Sequence, residues 1–234
     1  MSEMKTPSAL QMLKYGILQY LPGDKGYYYA RKYRRGRWQE VDAEFARAQE
    51  AARGKVAIDL GGNVGTFAER LAQTASHVYT FEPDPWTAEQ LRKNTAHLGN
   101  VEVIEAAAGV SAGTAALYRH EAFDTDPEKI SQVSSLVPDF EQVDEGQAAA
   151  EVEVIDFLEF IRSRNLDIGI LKIDIEGSEV PLLEALLEDP LREKIDYIFC
   201  ETHEYDLPAM RDRYKALRRK AASLTRPSVN LEWL

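Results

Sequence analysis

Ionisable side chains stand at or just beyond the ends of several apolar runs in this sequence, where buried β-strands would end. Carboxylates and histidine in such positions can bind a polar ligand, accept a proton or hold a cation. A charge at the end of a buried strand is costly unless it is paired or used, so these residues are candidates for function. They are Asp59, Glu82, Lys172, Asp174, Glu176, Glu201 and His203.

A glycine-rich turn follows the first apolar run, in the segment VAIDLGGNVGTF that begins at Val56. In an open α/β sheet the ligand lies beyond the carboxyl ends of the strands, and glycine lets a ligand approach the backbone closely. The spacing is not the dinucleotide pattern G-x-G-x-x-G, because Asn63 and Thr66 take the second and third glycine positions when the pattern is aligned on Gly61. The residues expected at this edge are Gly61, Gly62, Asn63 and Gly65.

Two carboxylates accompany this turn. Asp59 lies inside the strand end, where it can hold an ammonium group or the water around one. Glu82 follows the second apolar run, seventeen residues after Gly65, and a carboxylate there can accept both hydroxyls of a ribose. No Lys or Arg occurs between Asp59 and Thr66, which suits a cation better than a pyrophosphate. The pattern predicts a pocket for a nucleoside with a positively charged amino-acid tail, and S-adenosylmethionine is such a molecule.

A second polar group lies in the segments LKIDIEGSE and CETHE. Lys172, Asp174 and Glu176 alternate with apolar residues and share one face if the strand persists. Glu201 and His203 alternate in the same way after the next run, and they lie close to Asp174 if the two strands are neighbours. We expect Asp174 or His203 to act as a general base, with Lys172, Glu176 and Glu201 around it.

A metal site is the alternative for the same cluster. Asp174, Glu176, Glu201 and His203 offer oxygen and nitrogen ligands that could hold a divalent ion, with magnesium favoured by the oxygen ligands. Nothing in their spacing demands a metal, so none is predicted.

The elements that position these residues alternate between strands and helices from Lys55 to Glu201. The strands expected are 56–60, 77–81, 101–106, 115–119, 168–173, 195–200 and 229–234, and the helices between or after them are 66–74, 85–98, 180–187 and 209–224, with 152–164 helical towards its end. This alternation predicts a mostly parallel twisted sheet with helices on both faces.

Two segments stand outside the alternation. Residues 1–52 are expected to form two or three helices, a helical extension or cap before a domain over residues 53–234. Residues 121–151 are acidic and are expected to form a long loop or lid. The stretch GYYYARKYRRGRW in the extension is interpreted as a solvated helix face, or alternatively as a cap over the site or a patch for an anionic partner.

Composition excludes several classes of function. The chain has 234 residues and a net charge of −11, which disfavours nucleic acid as the partner because phosphate binding needs a basic surface. A single cysteine, Cys200, excludes an internal disulfide. The apolar segment 8–21 contains Lys14 and is too short to span a membrane, so we expect a cytoplasmic protein with no membrane partner. The sequence does not indicate the oligomeric state.

The motifs together resemble the FkbM family of S-adenosylmethionine-dependent methyltransferases. The similarity rests on IDLGGNVGTF, FEPDPWTAEQLRKN and LKIDIEGSEVPLLEAL, and it covers roughly residues 55 to 203. Gly62 stands where alanine is usual, and residues 1–52 and those after His203 have no clear counterpart. The resemblance implies a Rossmann-like class I methyltransferase fold and methyl transfer to a hydroxyl oxygen of a small molecule, such as a sugar or natural-product scaffold.

The resemblance also implies roles for individual residues. Asp59, Gly61, Asn63, Gly65 and Glu82 would line the cofactor. Asn94, Ala106 and Ala107 would border its ribose and adenine, and Trp86 would be a buried helix anchor or stack near the adenine. Ser134 and Ser135 match a serine-rich element that would touch the substrate.

Other functions remain open at this point. A nicotinamide-dependent oxidoreductase is the nearest rival, although the glycine spacing disfavours it. A methyltransferase-like domain without activity is a second alternative. A nucleic-acid methyltransferase could use RKYRRGR for phosphate contacts, but the chain lacks an N-P-P-Y-like loop after the fourth strand.

Overall fold

A computed structural model describes residues 7–120, 123, 134–137 and 148–233. Within these, the helices are α1 (Ala9–Leu18), α2 (Asp24–Gly36), α3 (Trp38–Ala51), α4 (Thr66–Ala72), α5 (Pro85–Thr95), α6 (Phe157–Arg164), α7 (Glu179–Glu188) and α8 (Arg211–Ser223). The strands are β1 (Val56–Leu60), β2 (His77–Phe81), β3 (Val101–Ile104), β4 (Ala107–Gly109), β5 (Gly113–Leu117), β6 (Ala150–Asp156), β7 (Ile168–Ile173), β8 (Ile195–Glu201) and β9 (Ser228–Trp233).

The centre of the fold is a six-stranded sheet with the order β3-β2-β1-β7-β8-β9. Every pairing in this sheet is parallel. The strand order reverses between β1 and β7, so the carboxyl ends of these two strands flank the crevice in which open α/β sheets bind ligands. The predicted fold class, a Rossmann-like parallel sheet flanked by helices, is confirmed.

Alternate residues of the central strands point to opposite faces, and each face has its own apolar core. Ile58, Leu171 and Ile198 pack with side chains of α6, α7 and α8 on one face. The residues next to them in the chain, Ala57 and Ile170 among others, pack on the opposite face with Phe45 of α3 and Leu71 of α4. Both faces are therefore covered, as a parallel sheet requires.

A second, three-stranded sheet has the order β4-β6-β5, with β5 antiparallel to β6. The expected strand 115–119 corresponds to β5. Its partner β6 was not expected, since residues 152–156 form a strand and helix α6 begins only at Phe157. Ser135 forms an isolated antiparallel bridge with Tyr118 beside it. Most of the predicted lid, 121–151, lies outside the described residues.

The first 52 residues contribute three helices, at the upper end of the expected number. Helix α3 packs on the sheet, where Phe45 is fully buried. Helix α2 is attached to the end of β8, because the buried Arg34 donates hydrogen bonds to Thr202 (2.7 Å) and Glu204 (2.8 Å). The division of the chain at residue 52 stays a prediction. No described helix has the length and apolar character needed to cross a lipid bilayer.

Candidate active site

A cavity of about 480 Å³ opens at the carboxyl edge of the large sheet, a volume typical of ligand sites. It is bordered by the segments that follow β1, β2, β3, β7 and β8, and by helix α2. Most of the residues chosen from the sequence line it: Gly61, Gly62, Asn63, Glu82, Ala106, Ala107, Ser134, Lys172, Asp174, Glu176, Glu201 and His203.

Four of the chosen residues lie outside the cavity lining. Asp59 is fully buried in β1, where the Thr80 hydroxyl donates to it (3.3 Å). Gly65 begins helix α4 with a left-handed backbone. The other two support neighbouring loops: Asn94 donates to the Val64 carbonyl (2.8 Å), and Ser135 donates to the Glu176 carbonyl (2.5 Å).

The glycines of the first turn let it lie directly against its neighbours. Gly61 has φ +82°, and a Cβ there would come within 1.7 Å of the Asp174 carbonyl oxygen. A Cβ on Gly62 would come within 2.1 Å of the Thr80 hydroxyl. Any side chain at either position would push the turn away from β2 and β7. The glycine motif therefore serves packing at the cavity wall as well as access to the backbone.

Glu82 presents a buried carboxyl group to the cavity. Its two oxygens accept hydrogen bonds from the backbone N–H groups of Asn63 (2.9 Å) and Asp84 (3.0 Å). Burial raises the pKa of Glu82 to about 8, although these two hydrogen bonds oppose the rise. Each oxygen keeps a further lone pair, so the group can also accept hydroxyl donors from a ligand.

Lys172 joins the glycine-rich turn after β1 to the segment LKIDIEGSE at the cavity floor. It is buried, lies 3.1 Å from Asp59 and 3.7 Å from Asp174, and donates to the Gly61 carbonyl (2.8 Å). Burial alone would lower the pKa of Lys172, but the charges of Asp59 and Asp174 outweigh it and raise the pKa. Asp59 therefore compensates a buried ammonium group of the protein itself.

His203 is held between carboxylates. Its Nδ1 lies 2.9 Å from Glu179, and its Nε2 lies 3.2 Å from Glu176. Burial opposes the charged imidazolium, yet Glu179, with help from Glu176, holds the pKa of His203 well above its usual range. Both ring nitrogens face carboxylates of the protein, which favours Asp174 of the two predicted bases.

Glu179, which sequence reasoning missed, is the anchor of this arrangement. It is fully buried and accepts hydrogen bonds from the backbone of Ile175 and Gly177 and from the Tyr214 hydroxyl (3.0 Å). Burial raises the pKa of Glu179, but the neighbouring His203 and the backbone N–H of Gly177 lower it overall. The signal in the sequence was the last glutamate of the segment IEGSE, but two of its partners, His203 and Tyr214, lie far along the chain.

Three carboxyl groups line the cavity near His203. Burial raises the pKa of Glu176 to about 7 and that of Glu201 to about 8, and the charge of Asp174 adds to both rises. Asp174 Oδ1 is buried and accepts no hydrogen bond from the residues that the structure describes. Asp174, Glu176 and His203 each offer a ligand atom within 4.8 Å of the others, a spacing open to a divalent ion. That no metal is used stays a prediction.

Three solved structures are similar to parts of this chain. Methyltransferase FkbM from Methylobacillus flagellatus KT is 18% identical over 58% of this chain and 30% of its own, with a TM-score of 0.36. The 23S rRNA methyltransferase ErmE is 29% identical over 27% of each chain, with a TM-score of 0.24. Phosphoethanolamine N-methyltransferase 1 from Haemonchus contortus, in complex with phosphoethanolamine and S-adenosylhomocysteine, is 18% identical over 41% of this chain and 20% of its own, with a TM-score of 0.22.

The match thus spans less than a third of each of these solved chains. No curated protein sequence matches the chain. The family model of the methyltransferase FkbM domain matches residues 59–221, well over half of the sequence. This interval contains the glycine turn, Glu82 and the whole cluster around Asp174 and His203. The chain therefore belongs to the FkbM family of methyltransferases.

Proposed function

We propose that this protein transfers the methyl group of S-adenosylmethionine to a hydroxyl oxygen of a small molecule. Family membership supports methyl transfer in general. The proposal of a hydroxyl acceptor rests on how the cavity is divided. Glu82, a carboxyl group placed to accept ribose hydroxyls, lies beyond β2, and a group of acidic side chains lies beyond β7 and β8.

The residues on the β1–β3 side fit the nucleoside end of the cofactor. Glu82 is fixed by two backbone donors and can accept the ribose hydroxyls. Ala106 and Ala107 leave room for a flat ring beyond β3. When bound, S-adenosylmethionine supplies a methyl group on a positively charged sulfur. The carboxyl groups of the cavity complement that charge and that of the ammonium group.

Asp174 fits the role of proton acceptor for the acceptor hydroxyl. It lines the cavity, and its Oδ1 has no hydrogen-bond donor in the described part of the chain. Lys172, 3.7 Å from Oδ2, fixes the other side of the carboxylate. His203 uses its ring nitrogens on Glu179 and Glu176, so its part is to hold this wall of the cavity and to orient Glu176.

A hydroxyl is the acceptor that this arrangement favours, because its proton must leave as the oxygen gains the methyl group, and a carboxylate can take it. The net charge of −11 disfavours a nucleic-acid acceptor. The glycine spacing and the lack of basic residues around the turn disfavour a nicotinamide dinucleotide.

Calorimetry with S-adenosylhomocysteine and with NAD tests the cofactor, and methyl transfer from labelled S-adenosylmethionine to a panel of hydroxyl compounds tests the reaction. We expect the wild type to bind S-adenosylhomocysteine and not NAD. Asp174→Asn should bind S-adenosylhomocysteine as the wild type does and lose about 10²–10⁴-fold in turnover. Binding of NAD, or full turnover by Asp174→Asn, would contradict the proposal.

A further inference from the structure

Helix α2 turns a basic face towards the cavity. Arg31 and Arg35 both line it, and their spacing of four residues places them on the same side of the helix, one turn apart. The register of the helix is fixed by Arg34 between them, which is 7% exposed and lies 2.8 Å from Glu204. The basic face is therefore held in position by a buried contact that does not involve the two pocket arginines.

The two arginines differ in how far their charge is compensated. Arg31 lies 3.5 Å from Asp206 and over the Tyr205 ring at 4.9 Å. Arg35 is exposed at the mouth of the cavity, and its side chain has no hydrogen bond and no ion pair within 4.0 Å to the residues described here. Burial and the charge of Arg31 lower the pKa of Arg35, although the charges of Glu201 and Asp206 oppose this.

The position of this basic face assigns it to one half of the cavity. Helix α2 contacts the segment that follows β8, through Arg34 with Glu204 and through Arg31 with Asp206. The nucleoside residues follow β2 and β3, on the other side of β1 and β7 in the sheet order. A group that meets Arg35 therefore belongs to the acceptor half.

We propose that the methyl acceptor carries an anionic group, a carboxylate, sulfate or phosphate, which Arg31 and Arg35 receive at the mouth of the cavity. This inference rests on the proposed function. Guanidinium groups form paired, charge-assisted hydrogen bonds with such anions. The Asp174 carboxylate at the floor repels an anion, so the acceptor is oriented with its anionic end at helix α2 and its hydroxyl towards Asp174.

The test uses inorganic phosphate as the anion probe. Calorimetry at low ionic strength measures its binding to protein saturated with S-adenosylhomocysteine, for the wild type and for Arg35→Gln. Arg47→Gln is the matched control, because Arg47 is an exposed arginine of helix α3 outside the cavity lining. We expect phosphate to bind the wild type and the control equally, and Arg35→Gln to bind it about tenfold more weakly, as for the loss of one charge-assisted hydrogen bond.

The same variants are titrated with S-adenosylhomocysteine and with 5′-methylthioadenosine, which lacks the amino-acid tail. We expect neither affinity to change in Arg35→Gln. A loss for S-adenosylhomocysteine alone would assign Arg35 to the cofactor carboxylate and overturn the inference. Absent phosphate binding, or equal binding by all three proteins, would overturn it as well. If the wild type fails to bind S-adenosylhomocysteine, the proposed function fails, and this inference falls with it.

Discussion

Above about pH 7, replacing Glu82 with glutamine should raise the stability of the fold and weaken ligand binding. The carboxyl group is buried and its pKa is raised to about 8 from an ordinary value of 4.5. A glutamine of the same shape keeps one oxygen to accept one of the two backbone N–H groups and removes the charge. The substitution therefore separates the cost of burying the carboxylate from its proposed use as the ribose acceptor.

The magnitude follows from the two pKa values. Between pH 4.5 and about 8 the unfolded chain releases the Glu82 proton while the folded chain retains it. The wild type loses stability over this window as the pH rises, by about 1.4 kcal/mol per pH unit and by at most about 5 kcal/mol in total. Below the window this stability is fully present, and above it the loss is complete.

Glu82→Gln removes this pH-dependent loss of stability. It also lowers the free energy of unfolding by about 1–3 kcal/mol at every pH, because one backbone N–H group is left without an acceptor. Its stability relative to the wild type should therefore rise steadily from pH 5 to pH 8. Urea unfolding at several pH values measures the difference. Glu153→Gln, at an exposed position on β6, is the control and should show no such trend.

Ligand binding supplies the second half of the test. Titration with 5′-methylthioadenosine avoids the ionisable tail of the full cofactor. The affinity of the wild type should increase as the pH approaches 8, because the ionised carboxylate is the better acceptor. Glu82→Gln should bind about tenfold or more weakly, with little dependence on pH. A stability difference that is flat with pH, or unchanged binding, would refute the reasoning about Glu82.

Two other substitutions test the charges at the cavity floor. Lys172→Met leaves Asp59 buried without its counterion and should destabilise the fold by about 3–5 kcal/mol, measured by urea unfolding; a loss below about 1 kcal/mol would show that the pair is not needed. Glu179→Gln removes the charge that holds the His203 proton, so the His203 ring should titrate at lower pH in NMR spectra than in the wild type. An unchanged His203 titration would show that Glu176 suffices.

The central sheet was predictable because buried parallel strands appear in the sequence as short continuous apolar runs. The bounds of β1, β2 and β7 agree with the apolar runs from which they were predicted. Strand β6 of the second sheet was missed although it carries the alternation Glu151-Val152-Glu153-Val154, which is typical of a strand with one buried face. The acidic segment before it drew the interpretation towards a loop.

The cavity was predictable in outline, and its charges were not. That the ends of β7 and β8 lie together follows from parallel neighbours, and it brings Asp174 near His203. The protonation of His203 depends on Glu179 and on the left-handed turn at Glu176, which are properties of the folded chain. Likewise, the direction in which Arg35 points is set by the docking of helix α2 and cannot be read from a basic stretch.

The buried Arg34 gives helix α2 a fixed rotational setting. Each residue of an α-helix advances by about 100°, so one inserted residue between Arg34 and Arg35 would carry the following side chain to a different side. Positions 31 and 35 can therefore be exchanged for other residues while Arg34 keeps the helix in place. If the two arginines receive the acceptor as proposed, substitutions at positions 31 and 35 change substrate preference and leave the methyl-transfer residues unchanged.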